Sequence, residues 1–168
     1  MNYQEIKDYA EKYAVPIMRT ETSKIIADFV KTNKPKNILE IGTAIGYSGI
    51  VMLENSDAEL ISIEHNKDYI KQAKQNFKLK KLNKRVKIID SDCLVVLANM
   101  VCEEKYRDYF DIIFLDGPKA QYEKMLEMLD GFVYNIDCSS ADKTRKIILK
   151  QRYTLEYTKG GAVDVKKM

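Results

Sequence analysis

The sequence predicts an α/β fold: a doubly wound, mostly parallel sheet followed by an antiparallel C-terminal hairpin. Three observations carry this. Short apolar runs alternate with segments of helical period from residue 38 to residue 137, the pattern of a parallel sheet covered on both faces. The first run, Ile38-Leu39-Glu40-Ile41, breaks into Gly42 and Gly46 and passes straight into Tyr47, Ser48, Ile50, Val51 and Met52, so a buried strand turns tightly into a helix. An acidic residue stands at or just past the end of each later run: Glu64, Asp90 with Asp92, Asp116 and Asp137. Ligands of doubly wound sheets sit beyond those carboxyl ends, where the strand order reverses.

Each element has its own signal. Apolar positions at Tyr3, Ile6, Tyr9, Ala10 and Tyr13 predict a helix over 2–13 that stops before Val15-Pro16. A second helix follows, with capping residues in Thr20-Glu21-Thr22-Ser23 and a buried face of Ile25, Ile26, Phe29 and Val30. Between them, Pro16-Ile17-Met18-Arg19 reads either as a helix connection with Ile17 and Met18 buried or as a lid over a pocket. After the opening strand come a strand over 60–64 and a helix over 67–82, capped by Asn66, with Tyr69, Ile70, Ala73 and Phe77 inward. A strand over 86–89, a helix over 94–101, a strand over 110–115, a helix over 121–129 and a strand over 132–136 complete the alternation. The tail reads as a short helix over 141–150 and two alternating segments pairing around Lys159-Gly160-Gly161.

With 168 residues and a hydrophobic fraction of 45%, one domain is expected over 1–168. Its parts are N-terminal helices and a lid at 1–34, a Rossmann-like ligand-binding core at 35–137, and a shortened helix and hairpin at 138–168. The net charge of +3 is slight, but basic residues crowd in Lys78-Leu79-Lys80-Lys81-Leu82-Asn83-Lys84-Arg85. That cluster is either a solvated helix face with its exit loop or a phosphate-contacting patch. Cys93, Cys102 and Cys138 are odd in number and unpatterned, and neither a signal peptide nor a bilayer-spanning run is present, which predicts a cytoplasmic protein with free thiols. One histidine, His65, and no CxxC pair argue against structural zinc and leave carboxylates as the ligands of any metal.

The glycine turn lets backbone approach a ligand, and the helix N-terminus behind it favours an anionic group. Glu64 follows Gly42 by 22 residues, about where a nucleotide fold places the carboxylate that accepts ribose hydroxyls; otherwise it is a strand-end acid facing water. Asp90 and Asp92 read as loop openers and helix caps. Asp116 and Asp137 could share a hard cation such as magnesium, or could both be caps. Lys119 is either a surface lysine or a base beside that cation.

Leu39-Glu40-Ile41-Gly42-Thr43-Ala44-Ile45-Gly46-Tyr47-Ser48, Glu64, Asp116-Gly117-Pro118-Lys119 and Asp137 together resemble the metal-dependent O-methyltransferases of the class I S-adenosylmethionine fold. That group includes catechol and caffeoyl-CoA methyltransferases and the bacterial tRNA 5-hydroxyuridine methyltransferases; the opening Val15-Pro16-Ile17-Met18 is most similar to the tRNA branch. The resemblance implies that Gly42 and Ser48 hold the methionine end of S-adenosylmethionine, that Glu64 binds its ribose, and that Asp92 and Cys93 border its adenine. Met18, Glu40, Thr43, Gly46, Tyr47, His65 and Asp116 complete the implied cofactor contacts. Asp116 and Asp137 would bind Mg2+ or another divalent cation, with Lys119 as general base. The implied acceptor is 5-hydroxyuridine in tRNA, with a small catechol-like phenol as the alternative and a cofactor- or RNA-binding protein without catalysis as a third reading. Homodimers are frequent in the resembling family. The chain departs from it at Asp137-Cys138, where the family has Asp-Asn, and in a shorter segment before the last helix; a thiol is a poor magnesium ligand.

Overall fold

The computed structural model describes residues 3–133, 147–150, 153–157 and 163–167, with side chains described for 3–118 and 120–129. Helices α1 (Tyr3–Lys12) and α2 (Thr20–Asn33) precede the alternation β1 (Asn37–Ile41), α3 (Tyr47–Glu54), β2 (Glu59–Glu64), α4 (Lys67–Leu79), β3 (Val86–Asp90), α5 (Cys93–Cys102), β4 (Ile112–Leu115) and α6 (Tyr122–Val133). Strands β3, β2, β1 and β4 lie side by side and all parallel, with Ile38 opposite both Leu60 and Ile112. The order reverses between β1 and β4, and it is at such reversals, beyond the strands' carboxyl ends, that doubly wound sheets bind their ligands.

The twofold alternation of strand side chains divides the core. Ile38, Leu60, Ile112 and Phe114 pack with Ile26, Val30, Ile50 and Phe77 on one face. Leu39, Ile41, Ile63, Ile113 and Leu115 pack with Val96, Leu97, Met125 and Leu129 on the other. Strand β1 is buried on both faces, which is why its sequence is nearly continuously apolar.

Several boundaries differ from the expectation. The N-cap of α2 is Arg19, without a side-chain bond, and Thr20 is already helical; the Ser23 hydroxyl instead donates to the Thr20 carbonyl at 2.7 Å. Ile25 is exposed, while Ser23, Ile26 and Val30 form the buried stripe. Asn66 caps α4 as expected, accepting from the Asp68 and Tyr69 amides, but the helix stops at Leu79 and Lys81 takes a left-handed φ of 60°. Strand β4 starts at Ile112 because the Asp111 carboxylate accepts from the Lys36 and Asn37 amides, at 2.7 and 2.9 Å, and ties the entrance of β1 to β4.

The largest correction concerns the run read as a strand over 132–136. Phe132 and Val133 belong to α6, since Tyr122, Met125, Leu126, Leu129, Phe132 and Val133 keep the helical period unbroken; residues 134–137, Asp137 among them, lie outside the described residues. The helix expected over 141–150 is also corrected at its end: Ile147–Lys150 is strand β5, parallel to β4, as an apolar run with two β-branched residues suits a strand. Strands β6 (Tyr153–Tyr157) and β7 (Val163–Lys167) follow it in antiparallel order.

Candidate active site

At the carboxyl edge of β1 the chain makes its sharpest turn. Gly42 and Gly46 have φ of 98° and 83°, and Ala44 between them has φ of 43°. A Cβ on Gly42 would lie 2.5 Å from the Asp116 carbonyl oxygen, so the loops after β1 and β4 meet backbone to backbone there. The Gly42 amide donates to the Ile63 carbonyl at 2.9 Å and the Asp116 amide to the Ile41 carbonyl at 2.8 Å, locking three strand ends together. Gly46 is the N-cap of α3 and brings no side-chain acceptor. The first amides of that helix therefore keep their donor capacity toward the crevice.

Under this turn lies a buried polar network. Glu40 is fully buried and accepts from the Ser48 hydroxyl and, at 2.5 Å, from the Ser62 hydroxyl; Thr43 and Ser62 hydroxyls are 2.5 Å apart. Burial pushes the Glu40 carboxyl up to about 7; the two serine hydrogen bonds act in the opposite direction, and the nearby Asp116 and Glu64 carboxylates add to the rise. Glu64, at the end of β2, is held by three backbone amides: Ala44 at 3.0 Å on Oε2, and His65 and Asn66 at 2.9 Å each on Oε1. A carboxylate offers about four acceptor positions, so one on Oε2 is left for a ligand hydroxyl. His65 is exposed, its Nδ1 3.7 Å from the same carboxylate.

The other expected residues divide by what they touch. Asp92 is the N-cap of α5, accepting from the Leu94 and Val95 amides, and the Cys93 thiol donates to Gln121 Oε1 at 3.3 Å. Burial raises the pKa of that thiol, so it is a packing group rather than a thiolate. Met18 is buried in the same core as α3, and Tyr47 turns its ring into that core, edge-on to Tyr3 at 5.8 Å. Asp116 stands at the end of β4; burial, and then the Asp116 charge, raise the Tyr122 phenol. Lys119 begins a 3-10 turn, Lys119–Gln121, and its side chain lies outside those described. Asp137 and Cys138 lie outside the described residues. Among the described residues no group of three His, Cys, Asp or Glu side chains is arranged to hold a metal, and no helix is long and apolar enough to cross a membrane.

Two supporting residues were missed at the sequence level. Ser62 is the polar break in Leu60-Ile61-Ser62-Ile63 and stands opposite Glu40 in the β1–β2 register, so a strand alignment would have found it. Asn76, buried in α4, donates to the Ile45 carbonyl at 2.8 Å and pins the glycine turn from below; it lies in a polar stretch and gave no signal.

Such an edge, with a glycine turn, a buried acid beneath it and a held carboxylate after β2, lies where doubly wound sheets take their ligands. The O-methyltransferase family profile matches residues 2–137, and the chain belongs to that family. A caffeoyl-CoA O-methyltransferase of Stellaria longipes is 21% identical over 134 residues, 75% of this chain and 56% of its own length. A Staphylococcus aureus structure described as a caffeoyl-CoA O-methyltransferase superposes with a TM-score of 0.70 at 31% identity, covering 88% of this chain and 66% of that one. The fold also matches a Bacillus cereus O-methyltransferase in complex with SAH, with a TM-score of 0.71, 24% identity and coverage of 87% and 64%. The chain spans 38% to 56% of the length of the curated relatives it matches.

Proposed function

We propose that this chain binds S-adenosylmethionine at the β1–α3 turn and transfers its methyl group to a hydroxyl. The observation that carries the reading is Glu64: three backbone amides fix its carboxylate beside the glycine turn and leave one acceptor position on Oε2. A ribose hydroxyl suits that position, and the amides at the start of α3 suit the carboxylate of an amino acid. Buried Glu40 sets the turn through Ser48 and Ser62. The Bacillus cereus relative, solved with SAH, has the same fold.

When bound, S-adenosylmethionine supplies a methyl group on a cationic sulfonium, which leaves as the neutral thioether when an acceptor oxygen attacks in line. The chain's part is to orient the donor along the edge of β1 and β2 and to present the acceptor at the end of β4. Asp116, fixed through its amide to Ile41, is the described carboxylate at that end. Lys119, three residues on, takes the acceptor's proton in this reading. Asp116 and Asp137 would hold a divalent cation, and the 5-hydroxyl of a tRNA uridine in the cytoplasm is the acceptor the sequence resemblance favours.

Calorimetric titration with S-adenosylmethionine tests the first half. Micromolar binding that weakens roughly tenfold in Glu64→Ala is expected, about the value of one charge-assisted hydrogen bond. Absence of binding withdraws the reading. Transfer to tRNA carrying unmethylated 5-hydroxyuridine, or to a catechol, with and without magnesium, decides the acceptor and the cation; donor binding without transfer to either favours a binding protein.

A further inference from the structure

The opposite end of the sheet carries a second surface. A cleft of about 420 Å³ opens at the amino edge of β1 and β2, with Ile61 in its floor, Lys84, Lys87 and Lys105 at its rim, and Tyr106 and Tyr109 as its wall. Lys87 stands opposite Ile61 in the β2–β3 register, so both belong to one face of the sheet. Tyr106 stacks on buried Phe110 at 5.9 Å, Tyr109 meets Phe110 edge-on at 5.1 Å, and the Lys105 ammonium sits 4.8 Å from the Tyr106 ring centre. A smaller hollow of about 250 Å³ lies on the other side of β3, with Lys74 and Lys78 at its rim; Val86 lines both. Glu59 is the one acidic residue lining either hollow, and Lys74, Lys78, Lys84 and Lys87 are exposed, with no ion pair among the described residues.

From this we infer that a single-stranded RNA segment runs over the edge of β3, its phosphates on Lys74, Lys78, Lys84 and Lys87 and one base against the Tyr106 and Tyr109 rings. A mononucleotide would use one hollow. Cations on both sides of one edge strand, with aromatic rings beside them on one side, match a polyanion that carries stacking bases. The inference goes beyond methyl transfer and does not depend on which hydroxyl is methylated, because the surface lies toward the amino ends of β1 and β2, whereas Gly42 and Glu64 stand at their carboxyl ends.

The test is fluorescence anisotropy of a labelled oligouridylate of about a dozen nucleotides, with heparin and uridine monophosphate as competitors, across a salt series. The expected result is that K74A/K78A/K84A/K87A loses at least about tenfold in affinity at low salt and that its slope of log affinity against log salt is shallower by about 3. Tyr109→Leu should weaken the oligomer roughly fivefold and leave heparin unaffected, while Tyr109→Phe, which keeps the ring, binds as the wild type does. Equal affinity in the quadruple variant overturns the inference. Heparin binding as tightly as RNA with no effect of Tyr109→Leu reduces the surface to a general polyanion patch, and monophosphate binding as tightly as the oligomer replaces the strand with a single-nucleotide site; either overturns it. Titration of S-adenosylmethionine into the same variants separates the two readings, since donor binding should not change.

Discussion

The two ends of the parallel sheet use their charges in opposite ways. At the carboxyl edge, Glu40, Glu64 and Asp92 accept hydrogen bonds from the chain's own hydroxyls and amides, and Asp90 is paired with Lys67. At the amino edge, Lys84 and Lys87 have no ion pair among the described residues, while Arg85 between them donates to the Leu53, Ser56 and Ala58 carbonyls. Charges bonded to backbone fix the shape of a site; charges left to water are available to something outside the molecule. The acidic edge is thus held in shape by its own bonds, and the charges of the basic edge stay open to solvent.

The largest expected effect tests the rigidity of the acidic edge. Gly42→Ala puts a Cβ against the Asp116 carbonyl at a φ of 98°, and neither backbone can move without parting β1 from β4. A loss on the order of 3 kcal/mol in stability is expected, with donor binding reduced more than tenfold, read by thermal unfolding and calorimetry. Gly46→Ala should cost less, because its nearest contact is a side chain, the Phe77 ring at 2.9 Å, rather than backbone. Equal losses at the two glycines would mean that the approach of the two loops is not what demands the glycine at 42.

The buried acid gives the next effect. The Glu40 carboxyl is raised from 4.5 to about 7 in the folded chain, so the folded state holds more protons than the unfolded one between those values. Its contribution is fully present below about pH 4.5 and lost as pH rises toward 7, amounting to roughly 3 kcal/mol at most. Denaturant unfolding of wild type and Glu40→Gln across that window checks it: the difference in stability between the two should change between about pH 4.5 and 7 and be level on either side. A pH-independent difference would mean that Ser48 and Ser62 compensate the burial of the charge.

Between these two effects lies what was legible in the sequence. The glycine turn, the acids at or just past the ends of β2, β3 and β4, and the elements from β1 to β4 were readable, because the short apolar runs and the helical segments between them differ in period. Long-range bonds were not readable. Lys78 to Arg85 looks like one basic run, yet Lys80 pairs with Glu54 at 2.8 Å and Arg85 closes the loop before β2, leaving Lys78, Lys81 and Lys84 open. Phe132 and Val133 fit a strand and a helix equally well as an apolar pair; the preceding turns of α6 decide for the helix. Asp92 was read both as a cap and, by resemblance, as a site residue, and its Oδ1 does the first without engaging Oδ2.

Arg85 sharpens the contrast within the basic edge. Its Nη2 donates to the Ser56 and Ala58 carbonyls at 2.6 and 2.7 Å, Nε to Ala58 and Nη1 to Leu53 at 3.0 Å each. An ammonium cannot reproduce that planar fork, so Arg85→Lys should cost about 1–3 kcal/mol in stability and leave the salt dependence of RNA binding unchanged. If stability held and the salt slope fell, Arg85 would belong with Lys84 and Lys87 as a phosphate contact.

The smallest effect belongs to Asp90, the acid of the carboxyl edge that is paired with a lysine. The Lys67 ammonium pairs with the Asp90 carboxylate at the end of β3, and their side chains are 78% and 39% exposed. Water and salt screen such a pair, so Lys67→Ala should lower stability by less than about 1 kcal/mol, and by less still at high salt. Donor affinity is the sharper measure. Asp90 is bonded to neither the glycine turn nor Glu64, so removal of Lys67 should leave calorimetric binding of S-adenosylmethionine unchanged. A clear change in affinity would extend the shaped part of the edge one strand further, from Glu64 on β2 to Asp90 on β3.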